Sequence, residues 1–210
     1  MSSRPAAGGG RWVDVAPERL ERWFNGFAER HGELTWTSPS RAVAADGAVA
    51  EVEVPHPPMT GDLVAHCTVV RRLALLLVRL GGYAVGVAEG PTLVLSKVGS
   101  RHVQGRTAAG GWSQQRFARR REGQASVAMQ AAADTAVKVL LPEVGHLDAL
   151  VLGGDRGAVT AVLADKRLAA LRPLVTGRLL DVPEPRLVVL QKAVAQARAV
   201  QVKVIDPVAT

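Results

Sequence analysis

The sequence lacks most features that would hold a fold together covalently or place it in a membrane. Its 210 residues include a single cysteine, Cys67, which excludes an intramolecular disulfide and a cysteine-based metal cluster. The longest apolar run, Leu73 to Val78, is far shorter than the roughly 20 apolar residues that a membrane span needs. The first ten residues contain no apolar stretch typical of a secretory signal. These absences predict a cytoplasmic protein without membrane segments.

Patterns that bind metals or create nucleophiles are also missing. The 5 histidines include no pair at the spacing that would place two ligands on one helix face. Ser113 has no histidine or aspartate arranged near it in sequence, so a serine-hydrolase triad has no support. The run from Gly153 to Gly157 lacks the lysine and the glycine spacing of a phosphate-binding loop, and a tight strand-to-helix turn is the better interpretation. We therefore expect no metal and no cofactor.

Acidic side chains are absent from one long stretch of the chain. The whole sequence has 26 Lys and Arg against 19 Asp and Glu, a net charge of +7. No acidic residue lies between Gly90 and Arg121. The cations in that stretch are Lys97, Arg101, Arg106, Arg116, Arg119, Arg120 and Arg121. A solvated face usually mixes both signs of charge, so this patch indicates a polyphosphate partner.

The first part of the chain predicts a tail and an extension. Residues 1–10 are rich in Gly, Ala and Ser and are predicted to be a disordered tail. In the extension, residues 11–70, a helix is predicted between Pro17 and Gly32. Five of the eight aromatic residues of the chain lie before residue 37, and they are expected to pack in the core, where the helix covers a sheet. Residues 34–54 predict a strand pair that turns at Asp46-Gly47.

Residues 71–210 predict the main domain, a mixed β-sheet flanked by helices and therefore of the α/β class. A meander comes first, with a central, very apolar strand; its strands are expected at residues 73–80, 83–88 and 92–97, with a further one suggested at 101–107. A long helix then runs from Gln114 to about Leu141 and ends at Pro142. Alternating elements follow, with strands in 147–152, 174–181 and 200–205 and helices in 155–163 and 185–199.

The segment from Gly105 to Arg121 is the most informative. Gly110 and Gly111 permit backbone angles closed to other residues and allow close approach to a ligand. The helix that follows offers free N–H groups and the positive end of its dipole to an anion. Arg116, Arg119 and Arg120 share one helix face, and arginine forks bind phosphate in a bidentate manner. Gln114 and Gln115 lie at the tip, where they can form hydrogen bonds but cannot act as general bases.

This segment resembles the middle domain of eukaryotic and archaeal class-one release factors, in which a Gly-Gly-Gln loop precedes a long Arg-bearing helix. Gly110-Gly111 match the two glycines, and the run from Arg116 to Arg119 matches an Arg-Phe-Ala-Arg sequence at the helix start. The resemblance covers about residues 72–205. Trp112 replaces the glutamine of that triplet, and Trp112-Ser113-Gln114 is instead similar to the Gly-Ser-Gln triplet of the VLRF branch. The chain thus looks like the actinobacterial VLRF-type peptidyl-tRNA hydrolases, relatives of Vms-type quality-control proteins.

The resemblance implies a release-factor middle-domain-like fold and a ribosome-rescue activity. It implies hydrolysis of the ester between a nascent peptide and tRNA on a stalled large ribosomal subunit. Gln114 would contact the water or the oxyanion as part of the triplet with Ser113, Gly110 and Gly111 would shape the loop, and Gln115 is the alternative glutamine. The residues expected to hold rRNA or tRNA phosphates are Arg101, Arg106, Arg116, Arg119, Arg120 and Arg121. Trp112 either stacks on a nucleobase or anchors the loop.

Two other classes of function remain open at this point. One is a non-catalytic ribosome- or RNA-binding module on the same fold. The other is a structural α/β domain whose basic loop binds an acidic protein. The loop glutamine favours the hydrolase, because phosphate binding alone requires no glutamine there. The expected partners are therefore the large ribosomal subunit, its rRNA and peptidyl-tRNA, with no DNA and no membrane, and the chain is expected to be a monomer.

Overall fold

A computed structural model describes residues 3–79, 82–100 and 113–207, with the backbone alone for 113–125. Its strands in chain order are β1 (Ser3–Pro5), β2 (Arg11–Val15), β3 (Leu34–Ser38), β4 (Arg41–Ala44), β5 (Val49–Glu53), β6 (Arg72–Arg79), β7 (Gly82–Glu89), β8 (Thr92–Ser100), β9 (Ala149–Gly154), β10 (Val175–Leu180) and β11 (Val200–Ile205). Its α-helices are α1 (Leu20–His31), α2 (Leu63–Thr68), α3 (Ser113–Leu140), α4 (Arg156–Leu163) and α5 (Leu187–Arg198). The predicted α/β class is confirmed.

The chain divides into two compact units. The first comprises Met1–Val70 with Arg198–Thr210, and the second comprises Arg71–Ala197. Each unit contains its own sheet; the first unit has one buried core, and the second has two. No helix in the described residues is both long enough and apolar enough to span a membrane.

The first unit is a six-stranded antiparallel sheet in the order β1-β2-β11-β5-β4-β3. Helix α1 packs on it as predicted, because its apolar residues recur at helical spacing and are buried with the sheet. A 3-10 turn that starts at Pro17 leads into α1. Gly32, whose φ is 90°, ends it, since this backbone angle is unfavourable for residues with a side chain.

Three details of the first unit differ from the sequence-based expectation. Residues 3–5 form a strand where a disordered tail was predicted, because their backbone pairs with β2. The stretch predicted as a strand pair contains three strands, since a second reversal between Ser38 and Arg41 separates β3 from β4. The last strand, β11, was predicted in the main domain but lies between β2 and β5. Its alternate residues Val200, Val202 and Val204 are buried in the first core.

The second unit is a five-stranded sheet in the order β10-β9-β6-β7-β8. The very apolar strand β6 is central, as predicted; it runs parallel to β9 and antiparallel to β7. Helices α3 and α4 cover one face of the sheet and α5 covers the other. Successive residues of β6 point to opposite faces, so Leu76 lies in one core and Leu75 and Leu77 in the other. This burial on both sides explains why β6 is apolar from Leu73 to Val78.

Candidate functional site

The predicted site lies at the start of α3. The backbone of α3 is helical from Ser113, one residue before the predicted start at Gln114. Ser113, Gln114, Gln115, Arg116, Arg119, Arg120 and Arg121 therefore all belong to this helix, although their side chains are not among the described parts of the structure. Arg101, Arg106, Gly110, Gly111 and Trp112 lie outside the described residues, as does the strand suggested at 101–107.

The segment that carries the site is attached at the carboxyl edge of the second sheet. Strand β8 ends at Ser100, which pairs with Gly82 at the start of β7. Gly82 in turn pairs with Arg79 at the end of β6. The parallel strands β9 and β10 also end at this edge. Ligands of open α/β sheets bind outside the carboxyl ends of the strands, so β8 ends at an edge that is suited to a site.

The carboxyl-terminal half of α3 is fixed firmly on the sheet. Its buried stripe consists of small residues with one leucine: Ala128, Ala132, Ala133, Ala136 and Leu140. Alanine allows the helix to approach the sheet closely. Thr135 Oγ1 also lies 3.0 Å from the hydroxyl oxygen of Tyr83, close to the edge where β8 ends. The backbone from Ser113 to Asp134 adds about 33 Å of helix on the amino side of this contact. The packed half thus sets the direction of the first turn.

An ion-pair cluster ties α3 to the 3-10 segment Lys166–Leu174. The guanidinium of Arg167 lies 2.6 Å from a carboxylate oxygen of Asp134 and 2.7 Å from one of Asp165. Hydrogen bonds from Arg167 lower the pKa of Asp165 from 3.8 to about 2, and they also lower the pKa of Asp134. Both carboxylates in turn raise the pKa of Arg167. The cluster keeps its three charges over the whole physiological pH range.

The strand-to-helix turn after β9 has the structural role that the sequence indicated. Gly154 has a φ of 96°, and a Cβ atom there would lie 2.2 Å from the carbonyl oxygen of Val78. Asp155 Oδ1 accepts a hydrogen bond of 2.8 Å from the N–H of Ala158 and so caps α4. Chain geometry and helix capping account for these residues without a bound phosphate.

His66 and Cys67 lie in the interior of the first unit. His66 is buried; its Nε2 donates to the carbonyl oxygen of Pro55 at 2.7 Å, and its Nδ1 accepts from the N–H of Thr60 at 3.1 Å. Cys67 is buried in the first core. Among the described residues, no group of three or more His, Cys, Asp or Glu could hold a metal ion. His66 thus stabilises the loop before α2.

Comparison with known proteins gives one family match. Residues 71–203 match the family model described as Actinobacteria/chloroflexi VLRF1 release factor, which agrees with the resemblance found in the sequence. No curated protein matches the chain. The matched residues cover the whole second unit and β11 as far as Lys203.

Two solved structures from archaea are similar to the chain. One is the crystal structure of an archaeal translation termination factor, aRF1, with 15% identity and a TM-score of 0.48; the match covers 89% of this chain and 66% of that one. The other, described as an archaeal protein, has 16% identity and a TM-score of 0.39, and the match covers 86% of this chain and 57% of that one. The chain therefore spans less than two thirds of each. On the strength of the family match, which covers more than half of its residues, the chain belongs to the Actinobacteria/chloroflexi VLRF1 release factor family.

Proposed function

We propose that this protein is a cytoplasmic peptidyl-tRNA hydrolase that releases nascent peptides on stalled large ribosomal subunits. The observation that carries the proposal is the start of α3 at Ser113, within a release-factor family match. This start places Gln114 and Gln115 in the first helical turn. The N–H groups of that turn have no acceptor within the helix and lie at the positive end of its dipole. Such a turn suits the negative oxygen that develops when an ester is hydrolysed.

The proposed chemistry needs positioning rather than a side-chain base. Water attacks the carbonyl carbon of the ester, the carbonyl oxygen becomes an oxyanion, and the bond to the tRNA ribose oxygen then breaks. The ribose oxygen leaves with a proton that comes from the attacking water. An amide such as that of Gln114 can orient the water or donate to the oxyanion, and both effects lower the barrier. Gly110 and Gly111 would let the loop approach the ester closely.

The arginines of the basic stretch supply the binding energy in this proposal. Arg116, Arg119 and Arg120 follow the glutamines on a helix whose other half is anchored to the sheet. They would contact rRNA or tRNA phosphates, together with Arg101, Arg106 and Arg121, while Trp112 would meet a base or the loop itself. Because phosphate contacts depend on counterion release, binding to RNA should weaken steeply as salt rises. Binding to an acidic protein would depend less steeply on salt.

The decisive experiment measures peptide release from stalled ribosome–nascent-chain complexes. Gln114→Ala should lower release by about 100-fold or more, because one water- or oxyanion-directed contact is lost. Gln115→Ala should be milder. Gln191→Ala removes the same amide from an exposed position on α5 and serves as the matched control, with release unchanged. The free energy of unfolding of all three variants should stay within about 0.5 kcal/mol of the wild-type value, as checked by thermal melts.

The outcomes separate the candidate functions. If Gln115→Ala is inactive and Gln114→Ala is active, the catalytic glutamine is Gln115. If the wild-type chain binds the large subunit but releases no peptide, the non-catalytic module is correct. If both glutamine variants keep full release, the glutamine mechanism is wrong and the backbone amides near Gly111 become the candidates.

A second experiment tests the arginine face. The double reversal Arg116→Glu/Arg119→Glu should abolish cosedimentation with large subunits, because it puts two negative charges where phosphates are expected. The reversal Arg156→Glu/Arg186→Glu, at two exposed positions elsewhere in the second unit, changes the net charge equally and should have a much smaller effect. Equal losses in both double variants would mean that net charge, not this face, controls binding.

A further inference from the structure

Trp36 in the first unit departs from the expectation that the aromatic residues fill the core. Its side chain is 47% exposed, whereas Trp23, Phe24 and Phe27 on α1 are buried. The ring of Trp36 lies 5.0 Å from the ring of Phe24, centroid to centroid, at a tilt of 52°. One side of the indole is therefore held by the protein while much of its apolar surface remains open. A large aromatic ring fixed in this way is a typical anchor point for a partner.

Two open cavities flank Trp36 in the same unit. The larger, of about 450 Å³, lies between the end of β3 and the segment Met59 to Val64. The smaller, of about 360 Å³, lies between Trp36 and the face of α1 that carries Phe24 and Ala28. Trp36 and Val64 line both cavities, so the two cavities adjoin at these side chains; we call them together the Trp36 groove.

The strand beside this groove has an unpaired edge. In the described part of the first sheet β3 is the last strand, and β4 is its one neighbour. Alternate N–H and C=O groups on its outer side are therefore available to another strand. The sequence of β3, Leu-Thr-Trp-Thr-Ser, contains none of the charges or prolines that commonly block an exposed edge. An extended peptide can add to such an edge and direct alternate side chains into the neighbouring pockets.

The charge of the groove is opposite to the charge of the chain. The residues that line the two cavities include Glu21, Glu33 and Asp62, and no Lys or Arg appears among the described lining residues. The chain as a whole has a net charge of +7. A negatively charged apolar groove on a positively charged protein favours a segment with Lys or Arg beside an apolar side chain.

We propose that the Trp36 groove binds an extended basic segment of another protein, added alongside β3 with an apolar side chain against Trp36. The chain's own arginine-rich run, Arg116 to Arg121, is helical within α3 and is therefore not available as a strand. Its amino-terminal strand β1 is already paired with β2. This binding function is independent of peptide release, because every residue of the groove lies in the first unit, outside the matched family region.

The test starts from a random twelve-residue peptide library selected on the full chain. Enriched peptides should carry Lys or Arg together with apolar residues at alternate positions, and the affinity of one labelled peptide is then measured by fluorescence anisotropy. The variant Glu21→Lys/Glu33→Lys should lower the affinity for this peptide about tenfold or more, because two negative charges that attract the basic peptide are replaced by positive charges that repel it. The control Glu53→Lys/Glu184→Lys changes the net charge equally at exposed positions that line neither cavity and should shift the affinity less than about twofold.

Strand addition has its own signature. Hydrogen exchange of the backbone amides in 35–38 should slow when the peptide binds, and Trp36→Ala should weaken binding; a thermal melt of each variant establishes that it is folded. The proposal would be overturned if acidic peptides were enriched or if no peptide was enriched at all. It would also be overturned if the Glu21→Lys/Glu33→Lys variant bound the peptide as tightly as the wild type does. Self-association that Trp36→Ala abolishes would also overturn it, since the occupant would then be a second copy of the chain.

Discussion

At the scale of single residues, Gly154 is the clearest case of a backbone requirement. A side chain there would combine an unfavourable φ with a 2.2 Å approach of Cβ to the carbonyl oxygen of Val78. We expect Gly154→Ala to destabilise the second unit by more than about 1 kcal/mol, measured as a lower urea midpoint. Gly177→Ala is the matched control, because no heavy atom lies within 4 Å of its Cβ position. Equal midpoints for both variants would contradict this account.

The aromatic residues show what a single residue's sequence context can and cannot predict. The helical spacing of Trp23, Phe24 and Phe27 predicted their burial, and the structure confirms it. Trp36, between Thr35 and Thr37 in β3, was expected in the core as well but is 47% exposed. Its exposure depends on β3 being the last strand of the sheet, and strand order is set by residues distant in sequence. Local patterning contains no such information, so the groove beside Trp36 could not be predicted.

At the scale of elements, the Arg167 cluster that joins α3 to its neighbouring 3-10 segment should make stability depend on pH. The carboxyl pKa values of Asp134 and Asp165 are lowered in the folded protein, that of Asp165 from 3.8 to about 2, mainly by hydrogen bonds from Arg167. A lowered pKa stabilises the fold above the ordinary value of the group, and this contribution is lost as pH falls through the folded value. The contribution is therefore present near neutral pH and disappears between about pH 4 and 2.

The substitution Arg167→Gln tests the contribution of the Arg167 cluster to stability. Without the guanidinium, both carboxyl pKa values should return toward their ordinary values, so the wild type should be more stable than the variant at pH 6. The difference in urea midpoint should shrink steadily from about pH 4 to about pH 2. Arg156→Gln, at the exposed start of α4, should show no such pH-dependent difference. A constant difference between wild type and Arg167→Gln at every pH would mean that packing, not the charge pair, is lost.

Other elements were predicted where one local signal was sufficient. Gly32 ends α1, Pro142 follows the end of α3, and the start of α3 at Ser113 lies one residue from the predicted position. Strand β4 was missed because its short run, Arg41–Ala44, does not stand out from the turns on either side. For the candidate site, the sequence thus located the helix start correctly. The roles of Gly110, Gly111, Trp112 and Gln114 stay predictions, because they depend on a ribosomal partner.

At the scale of the whole molecule, the last strand, β11, belongs to the same sheet as the first strands of the chain. The chain leaves the first unit after Val70, forms the second unit, and returns at Arg198 to complete the first sheet. Strand β11 pairs with β2 on one side and with β5 on the other, so it joins two pieces that have no other strand between them. Nothing in the six residues of β11 distinguishes this arrangement from a last strand of the second sheet. The alternation of buried valines fits either sheet. Which sheet β11 joins depends on partner strands about 150–190 residues away in the sequence.

This topology predicts unequal behaviour of fragments. Residues 71–197 contain both cores of the second unit and should unfold cooperatively on their own. Residues 1–70 lack the strand between β2 and β5 and the buried Val200, Val202 and Val204, so they should not fold alone. Fusing residues 198–210 to their carboxyl end through a flexible linker should restore a cooperative urea transition. The same fusion with Val202→Asp should not, because an unpaired charge would enter the core. If residues 1–70 fold cooperatively without β11, then β11 is an accessory to the first unit and not its central strand.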